Sequence, residues 1–326
     1  MSGTQQRRVA LIGTGQMAKT HTVAWQALGA DVLVHSRSPE RGTAFAAAHA
    51  VTAVSDLAQV LQAAEIIDIC TPTDTHANLT HRAAAAGLHV VCEKPLARDP
   101  AEGRAMIEAC ERAGVGLCVA QVLRFFPAYL ATCDAIAAGR IGTPREFRFF
   151  RQVESPGAET WFADTERSGG VLVDLAIHDI DFARWVGGEV TEVVGRSTLS
   201  LQAEPPVRAS ATLTHVGGLT SQIVAVWDVP GTPLRSTFEL VGDEGVLRFA
   251  SLPEPVVTDG SGAVVFAEDG SVDPFAEQLR EFVAAFDGKG QPRVTAEDGL
   301  MALTIALAAT RSAGNGRPVD PSSLLA

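Results

Sequence analysis

Two groups of residues in this chain have types and spacings that could do chemistry. The first is Gly13-Thr14-Gly15-Gln16-Met17-Ala18. In such a loop Gly13 permits a tight turn, and Gly15 lets the backbone, with the amides of Gln16 and Met17, approach phosphate oxygens. Ala18 lets the next helix pack close to the preceding strand, with the positive helix end over the pyrophosphate. An ordinary strand-to-helix turn has the same composition, and here the apolar strand before the loop and the helical pattern after it favour a dinucleotide. The second group is Asp174 and His178. Four apart on a helix, they share one face, forming with Asp181 and Trp185 a polar stripe opposite Leu172, Leu175, Ala176, Ala183 and Val186. Histidine, with an ordinary pKa of about 6.5, suits proton exchange at neutral pH. The spacing also fits an exposed pair worth about 0.3 kcal/mol to the helix. A metal held by one His and two Asp needs further ligands that the sequence does not supply, so no metal is expected.

The carboxyl end of the second strand selects between nicotinamide cofactors, because an acidic residue there bonds ribose hydroxyls while arginine accommodates a 2'-phosphate. Asp31 begins that strand, whose end reads His35-Ser36-Arg37, with Arg41 one helical turn on. Ser36, Arg37 and Arg41 could donate to a 2'-phosphate, and no carboxylate is expected beside them, so NADP is favoured over NAD. The alternative is a solvated, unselective loop. Thr71-Pro72-Thr73 with His76, and Glu93-Lys94-Pro95, end two further strands, where ligands bind in such sheets.

The elements that must position these groups are legible. Val9 to Ile12, Val32 to Val34, Ile66 to Cys70, Val90 to Cys92 and Val115 to Ala120 read as strands buried on both faces, alternating with Ala-rich helices. Ser38-Pro39, Ser55-Asp56 and Asp99-Pro100 with Glu102 supply helix starts. This predicts an α/β fold with a doubly wound Rossmann domain over residues 1–122. Beyond it, residues 123–326 predict an α+β substrate-binding and oligomerisation domain. Helices near 127–139 and 169–186 precede Thr/Val/Leu-rich runs from Val190 to about Phe266, broken by Gly-Gly, Pro-Gly and Asp-Gly turns. These runs make a large, mostly antiparallel open sheet. Two helices close the chain, one opened by Asp273-Pro274 and one by Thr295 with Asp298, and they could pack back on the first domain. An open sheet must cover its second face, so a homodimer or homotetramer through that sheet is expected.

Composition narrows the partners. Of 326 residues 26 are basic and 38 acidic, a formal charge of -12 that repels phosphate backbones and anionic lipid. No apolar run reaches the length of a membrane span, and the N-terminal residues show no signal-peptide core. Five cysteines without Cys-x-x-Cys spacing suggest neither disulfides nor zinc, and a cytoplasmic location is expected.

Glycine loop, Thr-Pro-Thr with His76, Glu93-Lys94-Pro95 and Gly169-Gly170-Val171-Leu172-Val173-Asp174-Leu175-Ala176-Ile177-His178-Asp179 occur in an order that resembles the Gfo/Idh/MocA (glucose-fructose oxidoreductase / inositol dehydrogenase) family. Glu297-Asp298-Gly299-Leu300 and Gly316-Arg317-Pro318-Val319 extend the resemblance over nearly the whole chain. The resemblance implies that Lys94 is the active-site lysine, bonding the reacting oxygen near the nicotinamide. Proline after it biases the lysine backbone towards an extended form, and a cis Lys94-Pro95 bond is plausible. It also implies that His178 exchanges the hydroxyl proton and that Asp174 orients it or binds substrate. Gln121, Arg124, Phe125, Pro127 and Tyr129 resemble the family's Arg-Phe-x-Pro-x-Tyr region. Gln121 is a cofactor candidate there, while Arg124 could line the substrate cleft or pair with an acidic residue across the domain boundary. Trp161 could wall a sugar ring or simply pack.

The expected function is hydride transfer between C4 of NADP or NAD and a secondary alcohol or ketone of a sugar, cyclitol or related polyol. Two rivals stand beside it: a bound-cofactor enzyme that cleaves glycosides or exchanges sugars, and a non-catalytic nucleotide-sensing regulator.

Overall fold

The computed structural model of the chain describes residues 6–198 and 207–325. Residues 1–5, on which the reading of the N-terminus partly rests, lie outside the described residues, as do 199–206 within the run read as strands. Two compact units emerge. One holds Met1–Ala97, Ala101–Val122 and Asp273–Leu300, the other Arg98–Pro100, Leu123–Val272 and Met301–Ala326.

The first unit opens with β1 (Arg8–Ile12), α1 (Gln16–Ala27), β2 (Asp31–His35), α2 (Pro39–His49), β3 (Thr52–Ala53), α3 (Leu57–Ala63) and β4 (Ile66–Ile69). It continues through α4 (His76–Ala85), β5 (His89–Cys92), α5 (Pro100–Ala113) and β6 (Leu117–Val119). Its strands stand in the order β3-β2-β1-β4-β5-β6, all parallel. All four positions of β4, and β1 beyond Arg8, are buried, as a sheet covered by helices on both faces requires. Ser38 and Asp56 cap α2 and α3 by accepting from the backbones of Arg41 and Ala58 at 3.3 and 2.8 Å. The sequence did not show β3, two exposed edge residues too short to carry a pattern. Strand order reverses between β1 and β4, which opens the crevice where such sheets take ligands.

The second unit contains α6 (Pro127–Ala137), β7 (Pro144–Glu154), α7 (Thr165–Ser168), α8 (Gly170–Asp174), α9 (Ile177–Gly187) and β8 (Val190–Thr198). Then come β9 (Val207–His215), β10 (Thr220–Asp228), β11 (Arg235–Gly242), β12 (Val246–Ala250), β13 (Val256–Asp259) and β14 (Val264–Ala267). The sheet runs β14-β13-β12-β11-β7-β10-β9-β8, antiparallel everywhere except between β7 and β10. Its central strand, β7, lies in a stretch the sequence reading left without an element. One sheet face carries an aromatic core: Tyr129 of α6 meets Phe182 of α9 edge-on at 4.8 Å, and Phe238 stacks on Phe249 at 5.0 Å. Across the other face, Arg148 and Arg248 both bond Glu239 at 2.8 Å. In the next row, Phe150 pairs in register with Val224 and Thr237.

Helices α10 (Pro274–Phe286) and α11 (Ala296–Asn315) end the chain. Asp273 caps α10 through the amides of Phe275 and Ala276, and Thr295 and Asp298 exchange bonds at 3.0 and 3.1 Å as a capping box at the start of α11. Within the first unit α10 packs against α1. Gly299 lies so close to β6 that a Cβ would fall 2.6 Å from Val119. Among the described residues no helix is long and apolar enough to cross a membrane.

Candidate active site

The turn from β1 to α1 is Gly13-Thr14-Gly15. Gly13 has φ of 120°, and a Cβ there would lie 2.2 Å from the Cys70 carbonyl oxygen, so glycine alone fits. Gly15 is the N-cap of α1, supplies no side-chain cap, and has nothing within 4 Å of the position a Cβ would take. The first-turn amides, those of Gln16 and Met17 among them, are thereby left for an anion at the positive helix end. A dinucleotide pyrophosphate fits this cradle.

At the end of β2, Ser36 is half-buried and Arg37 and Arg41 are exposed, while Asp31 at the opposite end pairs with Arg8 at 3.1 Å. One expectation needs correcting. A carboxylate does stand in this stretch: Glu40, in the first turn of α2, accepts from the Ser38 hydroxyl at 2.8 Å. A hydrogen bond from its own backbone N–H, and then that from Ser38, hold its carboxyl below the usual range.

After β4, Thr71 and Pro72 are half-buried and Thr73 is buried. His76, read as a cofactor contact, is fully buried with a backbone carbonyl against each ring nitrogen, only one of which carries the proton of a neutral ring. Nδ1 lies 3.0 Å from the Pro95 carbonyl and 3.3 Å from that of Leu96, and Nε2 lies 2.9 Å from that of Thr71. Its ring lies between the segment after β4 and the segment after β5. Burial pushes its pKa down against the pull of these carbonyls.

Lys94 follows β5, and the Lys94-Pro95 bond is cis. From Val90 to Ala97 every residue is buried except Lys94, which is half-buried. Glu93 turns inward and accepts the Lys94 backbone N–H at 3.1 Å. Behind it stands a cluster the sequence reading missed. His21 of α1, fully buried, places Nδ1 2.9 Å from Oδ2 of Asp68 and Nε2 3.2 Å from Oε1 of Glu93. The second contact is a charge contact whose alignment falls short of a hydrogen bond. Asp68 also accepts from Trp25 Nε1 at 2.7 Å and from the Cys70 thiol at 3.5 Å. Burial, the largest single influence, opposes charge on His21, but Asp68 and Cys70 together outweigh it and hold the imidazole pKa well above its ordinary value. Burial, with Asp68, pushes the Cys70 thiol up. His21, Asp68 and Cys70 are metal-ligand types within 4.8 Å of one another, joined by the contacts of His21 Nδ1 and the Cys70 thiol with the Asp68 carboxylate. The signal was available: Asp68 interrupts the apolar run Ile66-Ile67-Asp68-Ile69, and a charge in a buried strand demands a partner.

Asp174 and His178 are not on one helix. Asp174 ends α8 and His178 is the second residue of α9. Between them the amides of Leu175 and Ala176 both donate to the Val171 carbonyl, at 3.1 and 3.0 Å, a widened turn that loosens the four-residue register. From Val171 to Ala183 all residues are buried except these two. The polar stripe drawn from the sequence is also corrected. Asp181 is 1% exposed and pairs with Arg124, and its neighbour Asp179 pairs with Arg151, which also bonds the Tyr129 hydroxyl at 3.1 Å. Arg124 thus finds its acid inside the second unit, and its guanidinium lies 5.3 Å from the Trp185 ring centroid. Trp161 stacks on Phe162 at 4.0 Å, leaving one ring face committed to packing. Gln121, just past β6, is 1% exposed, and among the described residues neither amide atom has a hydrogen-bond partner. A buried carboxamide in that state can meet a ligand's donors and acceptors without giving up bonds of its own.

Residues 7–121 match a family model described as "Oxidoreductase family, NAD-binding Rossmann fold", and residues 129–248 match the "GFO/IDH/MocA C-terminal domain". A 1,5-anhydro-D-fructose reductase of Ensifer adhaerens is 33% identical, over 96% of this chain and 98% of the relative. A D-apiose dehydrogenase of Paraburkholderia graminis is 32% identical, over 97% and 90%. A levoglucosan dehydrogenase solved with NADH and L-sorbose superposes with a TM-score of 0.85 at 25% identity, covering 97% of this chain and 99% of that one. On these matches and on the geometry of the glycine loop, the chain belongs to the Gfo/Idh/MocA family of oxidoreductases, with an NAD-binding Rossmann domain.

Proposed function

We propose that this chain transfers a hydride between a nicotinamide cofactor and a secondary alcohol or ketone of a sugar, cyclitol or related polyol, with Lys94, Asp174 and His178 as its catalytic residues. The observation that carries the reading is selective exposure: in two otherwise buried stretches only these three side chains are not buried. The reductase and dehydrogenases named above supply the substrate class.

The bound nicotinamide supplies the hydride acceptor or donor. Gly13 to Met17 hold the pyrophosphate, and Thr71, Pro72, Thr73 and Gln121 border the cofactor beyond it. Lys94 donates to the reacting oxygen and stabilises the charge that develops there. His178 takes the hydroxyl proton on oxidation and returns it on reduction, and Asp174 orients it or the substrate. Ser36, Arg37 and Arg41 favour NADP by donating to a 2'-phosphate, against the nearby Glu40. The open face of the second sheet, with its row of Phe150, Val224 and Thr237, receives a second copy of the chain.

The test is nicotinamide absorbance on mixing protein, NADP or NAD, and a panel of sugars, cyclitols and their keto forms. Turnover with one polyol class supports the reading. Silence across the panel with nucleotide binding intact removes it.

A further inference from the structure

We propose that His21 and His76 are positioning residues for Lys94, holding its two chain neighbours, Glu93 from α1 and Pro95 from the start of α4. The inference rests on the reading that Lys94 serves the reacting oxygen.

The two rings approach the same three residues from opposite directions along the chain. On the amino side of Lys94, His21 joins Asp68 of β4 to the Glu93 carboxylate, whose other oxygen accepts the Lys94 backbone N–H. On the carboxyl side, His76 stands between the Thr71 carbonyl, two residues beyond β4, and the carbonyls of Pro95 and Leu96, and the single N–H of the neutral ring donates to one side at a time. Lys94 is therefore the one residue of the loop left half-buried while its neighbours are tied on either side.

Packing alone does not call for this arrangement. An apolar ring fills the same volume without desolvating a titratable group, and a buried imidazole is tolerated only where its nitrogens find partners. Both histidines are fully buried, and their polar partners all lie on β4, just beyond it, or within two residues of Lys94. The groups facing His21 are Asp68, Cys70 and Glu93, with the Phe275 ring 6.2 Å away. Glu93 also acts on His76 through its charge, so one carboxylate couples the two clamps. Holding a reacting group in place matters because a misplacement of about 1 Å costs on the order of 100-fold in rate.

Shorter amides separate the ring nitrogens. In His21→Asn the amide stands where Nδ1 was and keeps Asp68 but abandons Glu93, whereas His21→Gln reaches the Nε2 position and keeps Glu93. At His76 the order inverts, because Asn keeps Pro95 while Gln keeps only Thr71. The experiment measures kcat, cofactor Kd and the Lys94 backbone amide resonance of the 15N-labelled full chain for all four variants, with Lys94→Ala alongside. The expected result is crossed: His21→Asn and His76→Gln lose about tenfold or more in kcat, with cofactor Kd within a few-fold and the Lys94 resonance displaced. His21→Gln and His76→Asn keep most of the turnover. Equal kcat within both pairs, or a Lys94 resonance unmoved in His21→Asn and His76→Gln, overturns the clamp. If one histidine's variants do not fold, the other pair decides. Normal turnover by Lys94→Ala would instead sink the reading of the lysine, while the resonance would still report whether its loop is held.

Discussion

Arg124 and Asp181 face each other inside the second unit through two hydrogen bonds, Nη2 to Oδ1 at 2.6 Å and Nε to Oδ2 at 2.9 Å, with both side chains almost fully buried. Two residues earlier on α9, Asp179 makes the same kind of pair with Arg151, at 2.7 and 2.9 Å. The two pairs anchor α9 to Arg124 and to Arg151 of β7 close to His178 at its start. Removing one member of such a pair strands a buried charge. Arg124→Met should therefore cost about 3–5 kcal/mol of stability, and Arg124→Met with Asp181→Leu should recover much of it. Urea unfolding of the single and double variants measures this, and a double variant no more stable than the single would show that the ion pair is not the source.

Lys94→Ala should lower kcat about 100-fold or more while cofactor Kd changes only a few-fold. Steady-state rates and fluorescence titration of the nicotinamide separate the two. Near-normal turnover would remove the lysine from the chemistry.

Cofactor choice turns on the end of β2. Arg37→Ala should weaken NADPH binding about tenfold or more, since it removes a charge-assisted bond, and leave NADH nearly unchanged. Glu40→Gln should improve NADPH by relieving a nearby negative charge. Equal losses for both cofactors in Arg37→Ala would mean that the arginine only supports the loop.

His21 makes stability depend on pH. Its folded pKa is raised, so its charge contributes fully below the unfolded value of about 6.5. That contribution erodes by about 1.4 kcal/mol per pH unit above it, until the folded pKa is passed. The stability gap between the wild type and His21→Leu should then be wider at pH 6 than at pH 9 in urea unfolding. A gap independent of pH would mean that the ring is neutral in the fold.

The proposed pairing of two copies through the open face of the second sheet predicts that Phe150→Glu is monomeric at micromolar concentration where the wild type is not, read by light scattering after size exclusion. An unchanged mass would place the contact elsewhere.

How much of this was legible depended on whether local pattern and tertiary role agreed. The parallel strands declared themselves because a strand buried on both faces is apolar at nearly every position, and the caps at Ser38, Asp56, Asp273 and Thr295 use side chains that act within three residues. Strand β7 escaped because its inward face ends in Arg151 and its outward face carries Arg148, so Pro144–Glu154 reads as charged until Asp179 and Glu239 are known to answer them. Asp181 was misread for the same reason in reverse: helical spacing put it on a polar face, and only a distant arginine reveals that the face is interior. The side chains proposed to react were singled out by motif, whereas His21 and Asp68 lie 47 residues apart and meet only in the folded sheet.

The connection from β10 to β11 does not join neighbours. These strands flank β7, and residues 229–234 pass over its end, with the amides of Ser155 and Glu154 donating to the carbonyls of Asp228 and Thr232 at 2.8 and 3.0 Å. The span is two strand spacings, about 9.5 Å, so the length of this loop is dictated by the strand beneath it. Trimming it to a hairpin would expel the middle of the sheet and leave two meanders with nothing to join them. A surface stretch that looks dispensable is in effect the keystone's strap.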